Sequence, residues 1–144
     1  MTVFLADRRG MSLVELVAAL LILGVLLGLA YPSWQRFQAH QSLRYGAAQV
    51  ATDLREAQER AKAERREYRA TFTSGSSQYR VERTGGGFSH LAELPRGVTV
   101  AADATVTFSA FGRPDSAYTI SLQNSYGSAT VTVTRGGGIR YVAP

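Results

Sequence analysis

The sequence predicts an α+β fold in which a long N-terminal α-helix packs against a C-terminal, mainly antiparallel β-sheet domain. Residues 11–30 are almost entirely apolar, and residues 43–61 keep apolar side chains at spacings of three and four. From Glu67 onward the apolar spacing changes to two, with glycine-rich turns between short runs. Helix and strands that are segregated along the chain are typical of an α+β protein, and short connections favour antiparallel pairing.

The run from Met11 to Ala30 has the length of a membrane span. A helix of 20 residues covers roughly 30 Å, which is the thickness of the hydrocarbon core of a bilayer. Backbone groups in lipid must bond internally, so a single span must be helical. Because Arg8 and Arg9 precede the run, the positive-inside rule places that end in the cytoplasm. We expect a single-pass inner-membrane protein, with residues 11–31 as the span.

One carboxylate, that of Glu15, lies inside this apolar run. A charged group in a span is costly and indicates a function. Cleavage between Gly10 and Met11 would leave a new amine about one helical turn from Glu15, which suits a charge pair. Two alternatives remain open. A secretory signal peptide would show a cleavage site after the run, and none is clear; in a plain signal anchor, Glu15 would extend its carboxylate to the headgroups.

Three residues predict weak points in a helix that otherwise continues to about Arg65. Pro32 removes a backbone donor and is expected to bend the helix. Gly24 and Gly28 lower the helix propensity of the span, although glycine is also common where membrane helices pack closely.

Residues 32–66 predict an amphipathic continuation of the helix. Its apolar face, which Trp34 and Phe37 extend backwards, has small side chains that suit a closely packed sheet: Leu43, Ala47, Val50, Leu54, Ala57 and Ala61. Two oppositely charged pairs lie on the other face at helical spacing: Arg55 with Glu59, and Glu56 with Arg60.

Residues 67–144 predict a β-rich globular domain with six or seven short strands. The expected elements are a hairpin over 67–83, a strand ending at Val100, and strands at 105–108, 118–122, 129–134 and 139–142. The triglycine segments 85–87 and 136–138 predict turns between strands.

Composition indicates a structural or binding role and gives no support for an enzyme. The chain has no cysteine, which excludes disulfides and thiolate metal sites, and its two histidines, His40 and His90, are far apart in sequence. No nucleophile elbow or phosphate-binding loop is present, and Asp103 and Asp115 fall in separate turns. We therefore expect no cofactor and no metal. The formal net charge of +5 permits a polyanionic partner.

Residues 9–16 and the apolar run that follows resemble the prepilin signal of type IV pilins and pseudopilins. In that family a basic leader ends in Gly, and Glu stands fifth after the cut, as Gly10 and Glu15 do here. Met11 occupies the position where Phe is most common. The resemblance implies removal of residues 1–10 by a prepilin peptidase and N-methylation of Met11. It also implies that Glu15 pairs with the N-terminal amine of a neighbouring subunit.

The resemblance further implies the partners and the location of the protein. These partners are other pilin or pseudopilin subunits, the prepilin peptidase, an inner-membrane assembly platform, and membrane lipid before assembly. The mature protein would then leave the membrane for an extracytoplasmic pilus or pseudopilus. Local melting of the stretch that holds Gly24, Gly28 and Pro32 is another implied property.

The second half of the chain is similar to the GspH/FimT group of minor pilins and pseudopilins. The residues that carry this likeness are Leu94-Pro95-Arg96-Gly97-Val98, Val106-Thr107-Phe108-Ser109, Gly112-Arg113-Pro114 and Ile139-Arg140. It implies a minor subunit of a type IV pilus or of a type II secretion pseudopilus.

Some FimT-like proteins bind DNA during natural transformation through a Gly-Arg-x-Arg motif. In the comparable stretch here, Gly138 and Arg140 are kept, but Ile139 stands in place of the first Arg. Candidate DNA contacts are Arg113, Arg135 and Arg140. The alternative is that these arginines only keep strand ends soluble.

Overall fold

The computed structural model describes residues 12–144, except for the side chain of residue 30. The expected cleavage position, Gly10 and Met11, lies outside the described residues. The described chain divides into two units, a helical segment that ends at Gln35 and a larger unit from Arg36 to Pro144.

One helix, α1, spans Leu13–Glu64 and continues without a break through Pro32. Its C-terminus is closed by Arg65, which takes a left-handed conformation with φ of 51°. The N–H of Arg66 then donates to the carbonyl of Ala61 at 3.2 Å, the bond expected when a left-handed residue follows a helix. The helix therefore ends where its loss of apolar periodicity predicts.

Eight strands follow α1 and form two four-stranded antiparallel sheets. They are β1 (Tyr68–Phe72), β2 (Gln78–Arg83), β3 (Ser89–Glu93), β4 (Thr99–Val100), β5 (Ala104–Phe108), β6 (Tyr118–Asn124), β7 (Gly127–Val133) and β8 (Ile139–Val142). Sheet 1 has the order β3-β2-β1-β5, and sheet 2 has the order β4-β6-β7-β8. The predicted fold class, a long helix with an antiparallel β domain, is confirmed.

The sequence predicts six or seven strands and does not predict β3, because β3 has no alternating apolar pattern. Only Ala92 of its five residues is buried. The strand is held instead by its register with β2, where Ala92 lies opposite Tyr79. Backbone pairing of this kind leaves no signature in the side chains.

The core of the larger unit lies where the second half of α1 meets the strands. The buried helix residues are Leu43, Ala47, Val50, Ala51, Leu54, Ala57 and Ala61. Sheet 1 contributes a row across three strands, because Ala70 lies opposite both Val81 and Val106. A Cβ added to Gly46 would come within 3.3 Å of Pro95, so the helix backbone approaches its neighbours closely.

The fully buried part of this helix face begins at Leu43, and before it the side-chain amide of Asn124 donates to the carbonyl of Ala39 at 2.8 Å. Trp34 and Phe37, which the sequence places on the same face, are 62% and 57% exposed. The apolar face that they extend in the sequence is therefore buried only from Leu43 onward in the described chain.

Polar side chains on the flanks of α1 bind the backbone of the strands. Gln49 donates to the carbonyl of Glu93 at 2.9 Å, at the end of β3. Arg55 donates to the carbonyl of Ile139 at 3.0 Å, at the start of β8. The predicted pair of Arg55 with Glu59 is therefore replaced by a bond to the sheet, and Glu59 pairs with Lys62 at 2.7 Å.

The other predicted helical pair, Glu56 with Arg60, is present at 2.8 Å. Both of its partners are exposed to solvent, so it contributes little to stability.

Two tyrosines anchor sheet 1 to carboxylates of α1. Tyr79, which is buried, donates its hydroxyl to Asp53; burial and this bond to a carboxylate raise the pKa of Tyr79. Tyr68 donates to Glu64 at 2.8 Å, and Arg83 approaches the same carboxylate at 3.1 Å. Two hydrogen bonds lower the pKa of Glu64: the larger effect comes from Tyr68 and the smaller one from Arg83.

The close approach of α1 to the strands predicts that a larger side chain at Ala51 destabilises the fold. Ala51 is fully buried, whereas Ala63 is exposed on the same helix. We expect Ala51→Leu to lower the free energy of unfolding by about 1–3 kcal/mol. Urea unfolding of the full chain in detergent, followed by near-ultraviolet circular dichroism, measures this. The matched control, Ala63→Leu, should leave the midpoint unchanged, and equal effects of the two variants would contradict the packing described.

Candidate assembly segment and arginine-bearing loops

The N-terminal turn of α1 holds Glu15. The helix begins at Leu13, and the carbonyl of Ser12 accepts the N–H of Leu16 at 3.1 Å. Ser12 thus stands directly before the helix, and Glu15 is its third residue, which is the spacing of a capping box. A carboxylate there also complements the helix dipole. The position of Glu15 in the first turn therefore offers a helix-capping role as an alternative to the predicted pairing with an amine.

The apolar segment of α1 is exposed along its length in the described chain. The exposed fraction of its large side chains runs from 46% at Val17 to 78% at Leu13. A window of 18 residues has a mean hydropathy of 2.7, and none of it is buried. A contiguous apolar surface of this kind marks a site that lipid or protein covers. The segment is long and apolar enough to cross a membrane.

The three predicted breakers all lie inside this helix, and the helix is continuous at each of them. A Cβ added to Gly24 or Gly28 would meet nothing within 4 Å. The described chain therefore gives no steric reason for glycine at these positions. Their role as breakers stays a prediction about a change of state, as does that of Pro32.

The structure brings together two of the three candidate arginine positions. Arg113 lies in the loop between β5 and β6, and Arg135 lies in the turn between β7 and β8; both are exposed. The side-chain amide of Gln58 donates to the carbonyl of Gly112 at 2.9 Å and to that of Gly137 at 3.2 Å. One helix side chain therefore holds the two arginine-bearing loops beside each other.

Glycine is required in both loops. Gly112 has φ of 70°, and a Cβ there would lie 2.6 Å from Cγ of Lys62. Gly137 has φ of 86°, and its N–H donates to the carbonyl of Thr134 at 2.8 Å. The stem of Lys62 therefore passes over the Gly112 loop, and its ammonium pairs with Glu59 at 2.7 Å.

Arg140, the third candidate, lies on the exposed side of β8. Its neighbour Ile139 is bound through its carbonyl by Arg55 of the helix. The contributions of Arg55, Gln58 and Lys62 could not be found by sequence reasoning, because each lies about 50 or more residues before the loop or strand that it meets. In the sequence, the spacing of these three helix residues indicates only that they lie on a solvent-exposed face of the helix.

Other polar residues of the β domain have structural partners. Asp103 accepts the N–H of Ser74 at 2.6 Å, and Asp115 accepts the hydroxyl of Tyr118. Burial of Tyr118 raises the pKa of its hydroxyl, and the hydrogen bond to Asp115 raises it further. Each carboxylate thus fixes its own loop. In residues 12–144, no group of three His, Asp or Glu side chains could hold a metal ion.

Comparison with known proteins finds a motif match in the N-terminal segment and a similar fold for most of the chain. The prokaryotic N-terminal methylation motif matches residues 5–31. The fold is similar to the type IV minor pilin FimU of Pseudomonas aeruginosa strain PAO1, with a TM-score of 0.58 and 17% identity over 75% of this chain and 96% of that chain. A second crystal form of FimU gives 0.54 and 16%, over 71% and 97%. No curated protein matches the chain.

The motif and the fold together support the resemblance to type IV pilins that was found in the sequence. The chain has the minor-pilin fold and carries the N-terminal methylation motif before and within its apolar helix. The narrower likeness to the GspH/FimT group stays a prediction.

Proposed function

We propose that this chain is a minor subunit of a type IV pilus or of a type II secretion pseudopilus. In this proposal a prepilin peptidase cuts after Gly10, Met11 is N-methylated, and an inner-membrane platform moves the subunit from the bilayer into the filament. The role is structural and involves no enzymatic step. The observation that carries the proposal is the exposed apolar segment of α1, with Glu15 in its first turn.

The charge distribution of the segment supports a specific contact during assembly. Between Met11 and Gln35 the sequence contains one charged side chain, that of Glu15. In a filament core the apolar side chains would pack against those of other helices, where a lone carboxylate is costly. The amine created by cleavage on a neighbouring subunit would neutralise it and would fix the axial register of the two helices.

Removal of the Glu15 carboxylate should therefore block assembly and leave cleavage intact. We expect Glu15→Ala to lower the amount of this subunit in sheared filaments by about tenfold, since a charge-assisted bond contributes roughly 1.5–3 kcal/mol. Immunoblots of filament and membrane fractions measure the effect, and N-terminal sequencing should find Met11 first in both.

The control for this experiment is Ser12→Ala, which removes the other member of the capping-box pair. It should enter filaments at the normal level. Equal losses for the two variants would show that Glu15 acts only as a helix cap, and normal incorporation of Glu15→Ala would exclude the pairing.

We propose DNA capture as a second candidate function, because Gln58 holds the Arg113 and Arg135 loops side by side. Two exposed guanidinium groups on adjacent loops suit successive phosphates of a duplex. The sequence departure at Ile139 weighs against this function, since it removes one arginine of the motif.

Salt dependence distinguishes this function from a purely structural one. If the full chain in detergent binds duplex DNA in gel shifts, Arg113→Ala combined with Arg135→Ala should weaken binding at low salt. It should also reduce the slope of log affinity against log salt by about two. The control, Arg80→Ala on the exposed side of β2, should leave that slope unchanged. Absence of binding by the unmodified chain at low salt would exclude DNA capture.

A further inference from the structure

Two aromatic side chains follow the apolar segment of α1. Tyr31 and Trp34 are three residues apart, so they are neighbours on one face of the helix. They are 65% and 62% exposed. From Leu16 to Ala30 the sequence contains only aliphatic residues and glycine, so the aromatic residues of this segment are confined to its end.

Their distance along the helix from Glu15 matches the thickness of a bilayer. Nineteen residues separate Glu15 from Trp34, which corresponds to roughly 28 Å at the rise of an α-helix. The hydrocarbon core of a bilayer is about 30 Å thick. A helix with Glu15 at one membrane surface therefore has Trp34 at the other.

The chemistry of the two side chains suits that second surface. Tyrosine and tryptophan have an apolar ring and one polar group, and they are enriched at both interfaces of a membrane, at the level of the headgroups. Ser33 and Gln35, which are also exposed, add polar groups at the same level. A position inside the hydrocarbon would leave the indole N–H and the tyrosine hydroxyl without water.

We propose that Tyr31 and Trp34 form an interfacial anchor that binds the lipid headgroup region of the extracytoplasmic leaflet. The anchor fixes the depth of α1 in the bilayer before the subunit enters a filament. This inference rests on the proposed membrane-inserted state, and it adds the second fixed point of the span, opposite Glu15. On assembly the two rings would leave the headgroup region.

The chain provides its own probe, because Trp34 is its only tryptophan. The full chain is reconstituted in phosphatidylcholine vesicles whose acyl chains carry bromine either near the headgroup or near the chain ends. Bromine quenches indole fluorescence at short range, so the ratio of the two quenching efficiencies reports depth. We expect stronger quenching of Trp34 by the shallow bromines, together with an emission maximum shifted to the blue of that in water.

A second variant separates the anchor from insertion itself. Leu26→Trp in a Trp34→Phe background places the only indole within the span and should be quenched more strongly by the deep bromines. If this control is quenched as expected and Trp34 is quenched by neither lipid, or mainly by the deep one, the anchor is wrong while the inserted helix stands. If neither indole is quenched, the segment does not enter the bilayer, which overturns the proposed membrane-inserted state and the anchor with it.

Discussion

The contact between the alanine-rich face of α1 and the strands is the interaction on which the β domain depends. Ala47, Ala51 and Ala61 are fully buried there, and Gly46 brings the helix backbone close to Pro95. Because the helix lies so close, side chains on its flanks reach backbone carbonyls of the strands and loops. Gln58 is the clearest case, since one amide binds two loops that are distant in sequence.

The same helix carries a second apolar surface that the described chain does not cover. From Leu43 onward one apolar face of α1 is buried in the core of its own chain, whereas from Leu13 to Leu29 the large side chains are exposed. Folding buries the apolar side chains of the segment that begins at Leu43. The segment from Leu13 to Leu29 can bury its apolar side chains only against lipid or against another helix. This difference supports the proposed transfer of the subunit from the membrane to a filament.

The elements whose pattern is local could be predicted from the sequence. The helix end near Arg65, the hairpin over 67–83 and the glycine turns depend on periodicity or on backbone conformation, and both can be read from neighbouring residues. Two features could not be predicted: strand β3, whose side chains are mostly exposed, and the division of the strands between two sheets. Sequence reasoning also missed Gln58 and the true partner of Arg55, because a polar residue on a helix face gives no sign of which distant carbonyl it meets.

Chemical cross-linking can test whether Glu15 contacts the N-terminal amine of a neighbouring subunit. A carbodiimide joins a carboxylate to an amine with no spacer, so it reports only groups in contact. Purified filaments that contain this chain are treated and digested, and the cross-linked peptides are identified by mass spectrometry. We expect a peptide in which Glu15 is joined to the N-terminal residue of another subunit. Filaments that contain the processed chain but yield Glu15 only unmodified, or joined to some other amine, would contradict it.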